Sequence, residues 1–317
     1  MRLIINIPAY NEETVIGNTI KHMPRSFQGV DEVKIQVVDD GSSDRTSEVA
    51  LEAGADFVLR HETNRRLGVM FATASENALK AGADIMVNID ADGQFDSAEI
   101  QKMIDPILKN EADMVVGDRF SESSAKNIPW MKDFFNRLGA SMVGSFLNVK
   151  THDITCGFRA HNRETLLRLN SPTGFTYTQE TIIDAIGKNL RVVWIPVTVT
   201  YFADRKSRIV KSAWSFINNS ARIILKAVRD VRPMKFFGIP GLILLTLSGI
   251  SLLGFLVQYF SHDFKVTPYL NYLLFTSVTA LIGIQLLIFA FIADMIKSSR
   301  RLTEDLMYQM KKEKYQR

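Results

Sequence analysis

The chain has 317 residues, 46% of them hydrophobic and 23% charged, which is an ordinary globular composition with room for one large or two smaller domains. Repeats and low-complexity linkers are absent, and a formal net charge of +4 is too small and too unevenly placed to mark a nucleic-acid binder. The single cysteine, Cys156, excludes an intramolecular disulfide and suits a reducing compartment.

In chain order, the N-terminus "MRLIINIPAY" is too short and too interrupted for a secretory signal. Apolar runs at 3–7, 33–38, 57–59, 85–89 and 114–116 predict buried parallel strands. Between them, helical patterns are expected over 12–22, over 44–53 opened by Ser43 and ended by Gly54, over 67–81 ended by Gly82, and over 97–109. This alternation predicts an α/β domain around a mainly parallel sheet, whose ligands bind beyond the carboxyl ends of the strands.

Four polar clusters fall at those ends. "PAYNEE" follows the first strand, "DDGSSD" the second, "DADGQFD" the fourth and "GDR" the fifth, so one crevice can collect Tyr10, Glu12, Asp39, Asp40, Asp90, Asp92, Gln94 and Arg119. Any one of them is also ordinary turn chemistry. In "DADGQFD", alternate residues of an extended segment would turn Asp90, Asp92 and Gln94 the same way, presenting oxygens to a divalent cation. Asp96, just before the helix start at Ser97, reads instead as a helix N-terminal charge. Neither a G-x-G-x-x-G fingerprint nor a G-x-x-x-x-G-K-[ST] loop is present, and an EF-hand fails on Phe95 and Gln101.

Residues 211–230 pattern as an amphipathic helix, with Trp214, Ile217, Ala221, Ile224 and Val228 on one stripe and Arg222, Lys226 and Arg229 opposite. Phe236 to Phe260 and Val266 to Ala293 contain no charged side chain, and each exceeds the roughly 20 apolar residues that cross a bilayer. They predict a transmembrane hairpin joined by "SHDFK". Nine Lys or Arg against two Asp between Asp204 and Lys235, and a basic stretch over 295–317, place residues 1–235 and the C-terminus in the cytoplasm. The division expected is a catalytic domain over 1–210, a juxtamembrane helix over 211–235, two spans over 236–294 and a cytoplasmic tail.

The set "IPAYNEE", "VVDDGSSDRT", "NIDADGQF", "VVGDRF" and "DITCGFR", in this order and spacing, resembles the family-2 inverting glycosyltransferases of the GT-A fold. Within them the likeness is to the polyprenyl-phosphate sugar transferases typified by dolichyl-phosphate mannose synthase, and it covers essentially the whole chain. The resemblance implies a membrane enzyme that moves one hexose from a UDP- or GDP-sugar to undecaprenyl or dolichyl phosphate. By the same likeness, Pro8, Tyr10, Glu12 and Asp40 hold the base and ribose, supported by Asp39, while Asp90, Asp92 and Gln94 bind Mg²⁺ or Mn²⁺. Arg119, Lys132 and Asn136 match acceptor-phosphate positions, Asp153 and Arg159 line the acceptor side or pair internally, and Gln179 and Glu180 lie on a helix below the site. Arg205 and Arg208 reach the pyrophosphate from a late loop, and related membrane transferases are sometimes tetramers.

The chain departs from the family in two places. "FSESSAKNIPW" replaces a glycine-rich stretch after Arg119, and "DRKSRIVK" lacks the usual loop glycine, which puts donor preference and loop closure in doubt. A processive polysaccharide synthase of the same family is the nearest alternative, weakened by the absence of a Q-x-x-R-W motif. A catalytically silent nucleotide-sugar-binding membrane partner is the other.

Overall fold

The structure is a computed structural model that describes residues 1–121, 137, 140–141, 144–145, 149–150, 152–170, 177–200, 222, 225, 229–261 and 266–316. It divides into two compact units, Met1–Ala227 with Glu304–Arg317, and Val228–Thr303.

In the first unit β1 (Arg2–Ala9), α1 (Ile16–Lys21), β2 (Glu32–Asp39), α2 (Thr46–Glu52), β3 (Phe57–Arg60), α3 (Arg66–Lys80) and β4 (Ile85–Asn88) alternate as expected. A short 3₁₀ turn at Ser97–Glu99 leads into α4 (Ile100–Leu108), followed by β5 (Met114–Asp118). Leu3, Ile4, Ile5 and Ile7 on β1 and Ile35, Val37 and Val38 on β2 are fully buried, because helices cover both sheet faces and no alternation is needed. Among the described residues of this unit follow two further strands, β6 (Arg159–Asn162) and β7 (Val192–Pro196), and two helices, α5 (Arg163–Arg168) and α6 (Thr178–Gly187).

The seven strands run β3-β2-β1-β4-β6-β5-β7. β6 is antiparallel to β4 and to β5, and the other pairs are parallel. The sheet is therefore the mixed, mainly parallel one of the GT-A class. Its order reverses beside β1, where β2 leaves on one side and β4 on the other, and an open α/β sheet places its ligand crevice at such a point.

Two helix starts differ from expectation. α1 begins at Ile16 instead of Glu12, because Asn11 takes a left-handed φ of 54° and its Oδ1 accepts from Ser43 N at 2.8 Å. α2 begins at Thr46 instead of Asp44, with Asp44 accepting from Thr46 N at 3.1 Å while Ser43 Oγ is turned to Asn11. Asp96 behaves as read, accepting from Ala98 N at 2.9 Å.

The last turns of the chain belong to this unit. Tyr308 Oη lies 3.1 Å from Glu164, Lys311 Nζ donates to Leu169 O and Asn170 Oδ1 at 3.0 Å, and Lys314 pairs with Glu76 at 3.0 Å. Lys188 pairs with Glu304 at 3.2 Å, and Tyr315 is buried.

The second unit holds α7 (Ile239–Ser261), preceded by a π turn at Met234–Gly238, and most of α8 (Leu270–Lys314). Both are long and apolar enough to cross a membrane, as candidate spans Met234–Ser261 and Thr267–Lys314. They meet through small residues: a side chain at Gly241 would stand 3.0 Å from Gly283 O, and Ser248 Oγ donates to Thr276 O at 3.0 Å. Leu242, Ile250, Leu253, Leu281 and Phe291 point outward, all more than half exposed.

Candidate active site

The crevice is assembled at the carboxyl ends of β1, β2, β4 and β5. Pro8 is half-buried inside β1, Tyr10 just beyond it is exposed, and Glu12 is half-buried with its amide donating to Thr46 Oγ1 at 2.8 Å. That bond, with Asn11 N to Ser42 Oγ at 2.9 Å, ties the "PAYNEE" loop to the "DDGSSD" loop.

The paired aspartates at the end of β2 both face protein groups. Asp39 is fully buried and accepts from Ser42 N at 2.9 Å and from the hydroxyls of Ser42 and Ser47. Asp40 accepts from Arg65 N and Arg66 N at 2.8 Å each and sits 2.8 Å from His61 Nδ1. Its carboxylate thus closes the amino end of α3, where backbone N–H groups and the helix dipole favour an anion.

At the end of β4 the "DADGQ" run forms a turn instead of an extended segment, with Gly93 at a φ of 69° and Asp92 Oδ1 accepting from Gln94 N at 3.1 Å. Gln94 O accepts from Thr200 N at 3.0 Å. Asp90 and Asp92 remain within electrostatic reach of each other: burial first, then the Asp92 charge, pushes the Asp90 carboxyl from 3.8 up to about 6. Arg119 and Arg159 pull the other way without cancelling the rise. Gly157 completes this corner, since a Cβ there would stand 3.0 Å from both Asp90 carboxylate oxygens.

A carboxyl raised by burial and by the charge of a neighbouring carboxylate suits a hard divalent cation. Among the described residues no group of three or more His, Cys, Asp or Glu forms a complete cage. The donor set fits an ion held by one or two carboxylates and otherwise by substrate phosphate and water, which is how Mg²⁺ is commonly bound.

Beyond β5, Arg119 and Asp153 form a two-pronged ion pair, Nε to Oδ2 at 2.6 Å and Nη2 to Oδ1 at 3.0 Å. Arg119 also reaches Thr155 Oγ1 at 2.6 Å. Asp153 is fully buried, yet the Arg119 charge and hydrogen bonds from Arg119 and Thr155 outweigh burial and hold its carboxyl below the usual range. Arg159 is fully buried as well, with Nε donating to Cys156 O at 2.7 Å and Nη1 to Thr178 O at 2.6 Å and Thr181 Oγ1 at 2.9 Å. It ties the 153–158 loop to α6.

Cys156 is buried, and its thiol is pushed up to about 12, chiefly by burial, so it packs without thiolate character. On α6, Gln179 is buried and Glu180 half-buried. Asp118 is 3.3 Å from His152, and with Arg137, Ser141, Lys150 and His152 it lines a cavity of about 500 Å³. Lys132, Asn136, Arg205 and Arg208, and most of the expected amphipathic helix, lie outside the described residues.

Reasoning from sequence passed over Asn88, Gly157 and Tyr177. A polar residue inside an apolar strand and a glycine after the Asp153 loop were the available signals.

The family model for Glycosyl transferase family 2 matches residues 4–169. The chain is 29% identical over 229 residues to the polyprenol monophosphomannose synthase of Mycolicibacterium smegmatis, covering 69% of this chain and 84% of that one. It is 29% identical to the dolichol-phosphate mannosyltransferase of Pyrococcus furiosus, over 76% of this chain and 69% of the other. Glucosyl-3-phosphoglycerate synthase of Mycobacterium tuberculosis, solved with Mn²⁺, UDP and phosphoglyceric acid, superposes with a TM-score of 0.55 at 19% identity, over 72% of this chain and 78% of that one. The fold, the strand-end carboxylates and these likenesses agree: the chain belongs to glycosyl transferase family 2 and is a glycosyltransferase.

Proposed function

We propose that this protein transfers one hexose from a UDP- or GDP-sugar to a polyprenyl phosphate, undecaprenyl or dolichyl, with inversion at the anomeric carbon. The observation that carries the reading is the Asp90 carboxyl, raised by burial and by the Asp92 charge, at the switch point of a sheet that belongs to a chain with two membrane-length apolar helices. The relatives from M. smegmatis and P. furiosus, named for polyprenol and dolichol phosphate mannosyl transfer, supply the acceptor class.

Asp90 and Asp92 would hold Mg²⁺ or Mn²⁺, with Gln94 beside them, and the ion would offset charge on the departing nucleoside diphosphate. Pro8, Tyr10 and Glu12 would form the wall for base and ribose, which Asp39 and Asp40 shape from behind by folding their loop. One phosphate oxygen of the lipid forms the bond to the anomeric carbon as the bond from that carbon to the diphosphate oxygen breaks. A phosphate monoester with a second pKa near about 6 is largely a dianion at neutral pH, so this attack needs no strong general base. It does need cations and hydrogen-bond donors: Arg137, Lys150 and His152, which share their cavity with Asp118, would face an incoming phosphate, Lys132 and Asn136 are assigned to the same acceptor phosphate, and Arg205 and Arg208 to the pyrophosphate of the donor. Arg119 and Asp153 would act as one rigid unit at its edge, and Arg159 as the brace behind them. We assign residues 1–210 to catalysis, 211–235 to an interfacial helix and both termini to the cytoplasmic side.

The test is to incubate membranes containing the protein with labelled UDP- or GDP-sugars, Mg²⁺ or Mn²⁺, and polyprenyl phosphate. A lipid-extractable monosaccharide product of inverted anomeric configuration is expected, and Asp92→Asn should abolish it with the fold intact. A growing polymer, or nucleotide-sugar binding without turnover, would refute the reading.

A further inference from the structure

Three amides sit side by side on one face of the sheet, each flanked in its strand by buried apolar residues: Gln36 on β2, Asn6 on β1 and Asn88 on β4. Asn6 is the register partner of both others, and all three are at most 1% exposed. They form a one-way chain. Asn77 Nδ2 on α3 donates to Gln36 Oε1 at 2.9 Å, Gln36 Nε2 to Asn6 Oδ1 at 3.0 Å, and Asn6 Nδ2 to Asn88 Oδ1 at 2.5 Å. Asn88 Nδ2 then donates to Tyr177 Oη at 2.6 Å and to Gly157 O at 3.2 Å, and Tyr177 Oη donates to Gly157 O at 3.3 Å. Every amide accepts through its oxygen and donates through its nitrogen to the next, so the dipoles align and strengthen one another.

The far end of this chain is rigid. The Tyr177 ring stacks on Phe71 at 4.6 Å and 5°, and the Arg159 guanidinium lies 5.6 Å from its centroid. The hydroxyl is therefore held against Gly157 O. Gly157 is also the residue whose bare α-carbon leaves room for the Asp90 carboxylate, both of whose oxygens would lie 3.0 Å from a Cβ there. Leucine-like side chains at positions 6, 36 and 88 would pack this layer without the desolvation cost of buried amides. What they would not supply is a fixed orientation.

We propose that Asn88 and Tyr177 are positioning residues that clamp the Gly157 carbonyl and, through the Gly157 backbone, hold the Asp90 carboxylate in the orientation that receives the divalent cation. The proposal rests on the metal reading given above. Loss of one clamping hydrogen bond loosens a ligand that is not itself touched, so cation affinity changes while the ligand set does not.

The experiment uses the full-length protein in detergent and titrates Mn²⁺ in the presence of UDP, without sugar or acceptor, following free Mn²⁺ by its paramagnetic resonance signal. Tyr177→Phe keeps the ring stack and removes only the hydroxyl. Its apparent Mn²⁺ dissociation constant should rise about 3- to 10-fold, the range that one net hydrogen bond controls. Gly157→Ala, which sets a methyl against the carboxylate, should lose more. If Tyr177→Phe does not fold, Asn88→Ala provides the same reading. A folded variant that is less heat-stable but binds Mn²⁺ like wild type would overturn the positioning role alone. Wild-type protein that binds no Mn²⁺ with UDP would overturn the metal reading and, with it, the proposal.

Discussion

Replacing Asp90 by Asn should make the metal-free protein more stable while removing its activity. The Asp90 carboxyl is pushed from 3.8 to about 6 by burial and by Asp92, so ionised Asp90 costs the folded state free energy. At about 1.4 kcal/mol per tenfold change in proton affinity the rise corresponds to about 3 kcal/mol, and the partial exposure of the residue trims this to about 2 kcal/mol. The sign is fixed by the direction of the shift. Below about 3.8 the carboxyl is protonated in folded and unfolded chains alike and there is no penalty; the penalty builds as pH rises to about 6 and is constant above it. Asn carries the same shape without the charge. Thermal unfolding of metal-free wild type and Asp90→Asn should therefore coincide near about pH 4 and separate by about 4 to 8 °C at about pH 8, the variant being the more stable. Mn²⁺ should raise the wild-type midpoint and leave the variant unmoved. Parallel pH curves for the two proteins, or a variant less stable at high pH, would show that Asp90 is not electrostatically strained and would remove the main support for a cation site.

Other contacts make narrower predictions. Arg119→Ala leaves Asp153 buried without its partner and should cost about 3–5 kcal/mol, read by thermal unfolding, whereas Arg119→Lys should recover only part because an ammonium cannot make both bonds. Asp40→Ala removes the acceptor for two amides at the start of α3 and should cost about 1–2 kcal/mol, visible as a lowered unfolding midpoint even without nucleotide. Lys314→Ala, which breaks one exposed pair, should leave the unfolding midpoint nearly unchanged, while truncation after Thr303 removes the Tyr308, Lys311 and Tyr315 contacts together and should lower the midpoint by several degrees. Cys156 should resist alkylation in the folded protein and react on unfolding, as counted by mass spectrometry.

The strands were legible where burial on both faces removes any need for alternation, as in "LIINI" and "VKIQVV". β6, "RAHN", has no such run, because this central antiparallel strand carries the bracing Arg159 and the buried His161. Helix starts were misread by two or more residues at Glu12 and Asp44, since hydrogen bonds between the two loops, together with the Asp44 turn to Thr46 N, decide where those helices begin.

The site separates by how each strand-end carboxylate is satisfied, which composition does not record. Asp39 and Asp40 stand in the same kind of position as Asp90 and Asp92, four acids after two strands, and the sequence reads them alike. In the fold, Asp39 and Asp40 face inward to serine hydroxyls and backbone amides, and their hydrogen bonds tie a loop and a helix end. Among the described residues, burial and Asp92 act on Asp90 with no hydrogen bond to offset them, and its charge destabilises the fold instead. A carboxylate held in that condition at the mouth of a sheet, against a glycine that clears space for it and behind that glycine a chain of amides, is what the proposed reading needs for a cation that would arrive with its substrate. The difference between the two pairs lies in the orientation of side chains, and orientation follows from the seven-stranded packing as a whole.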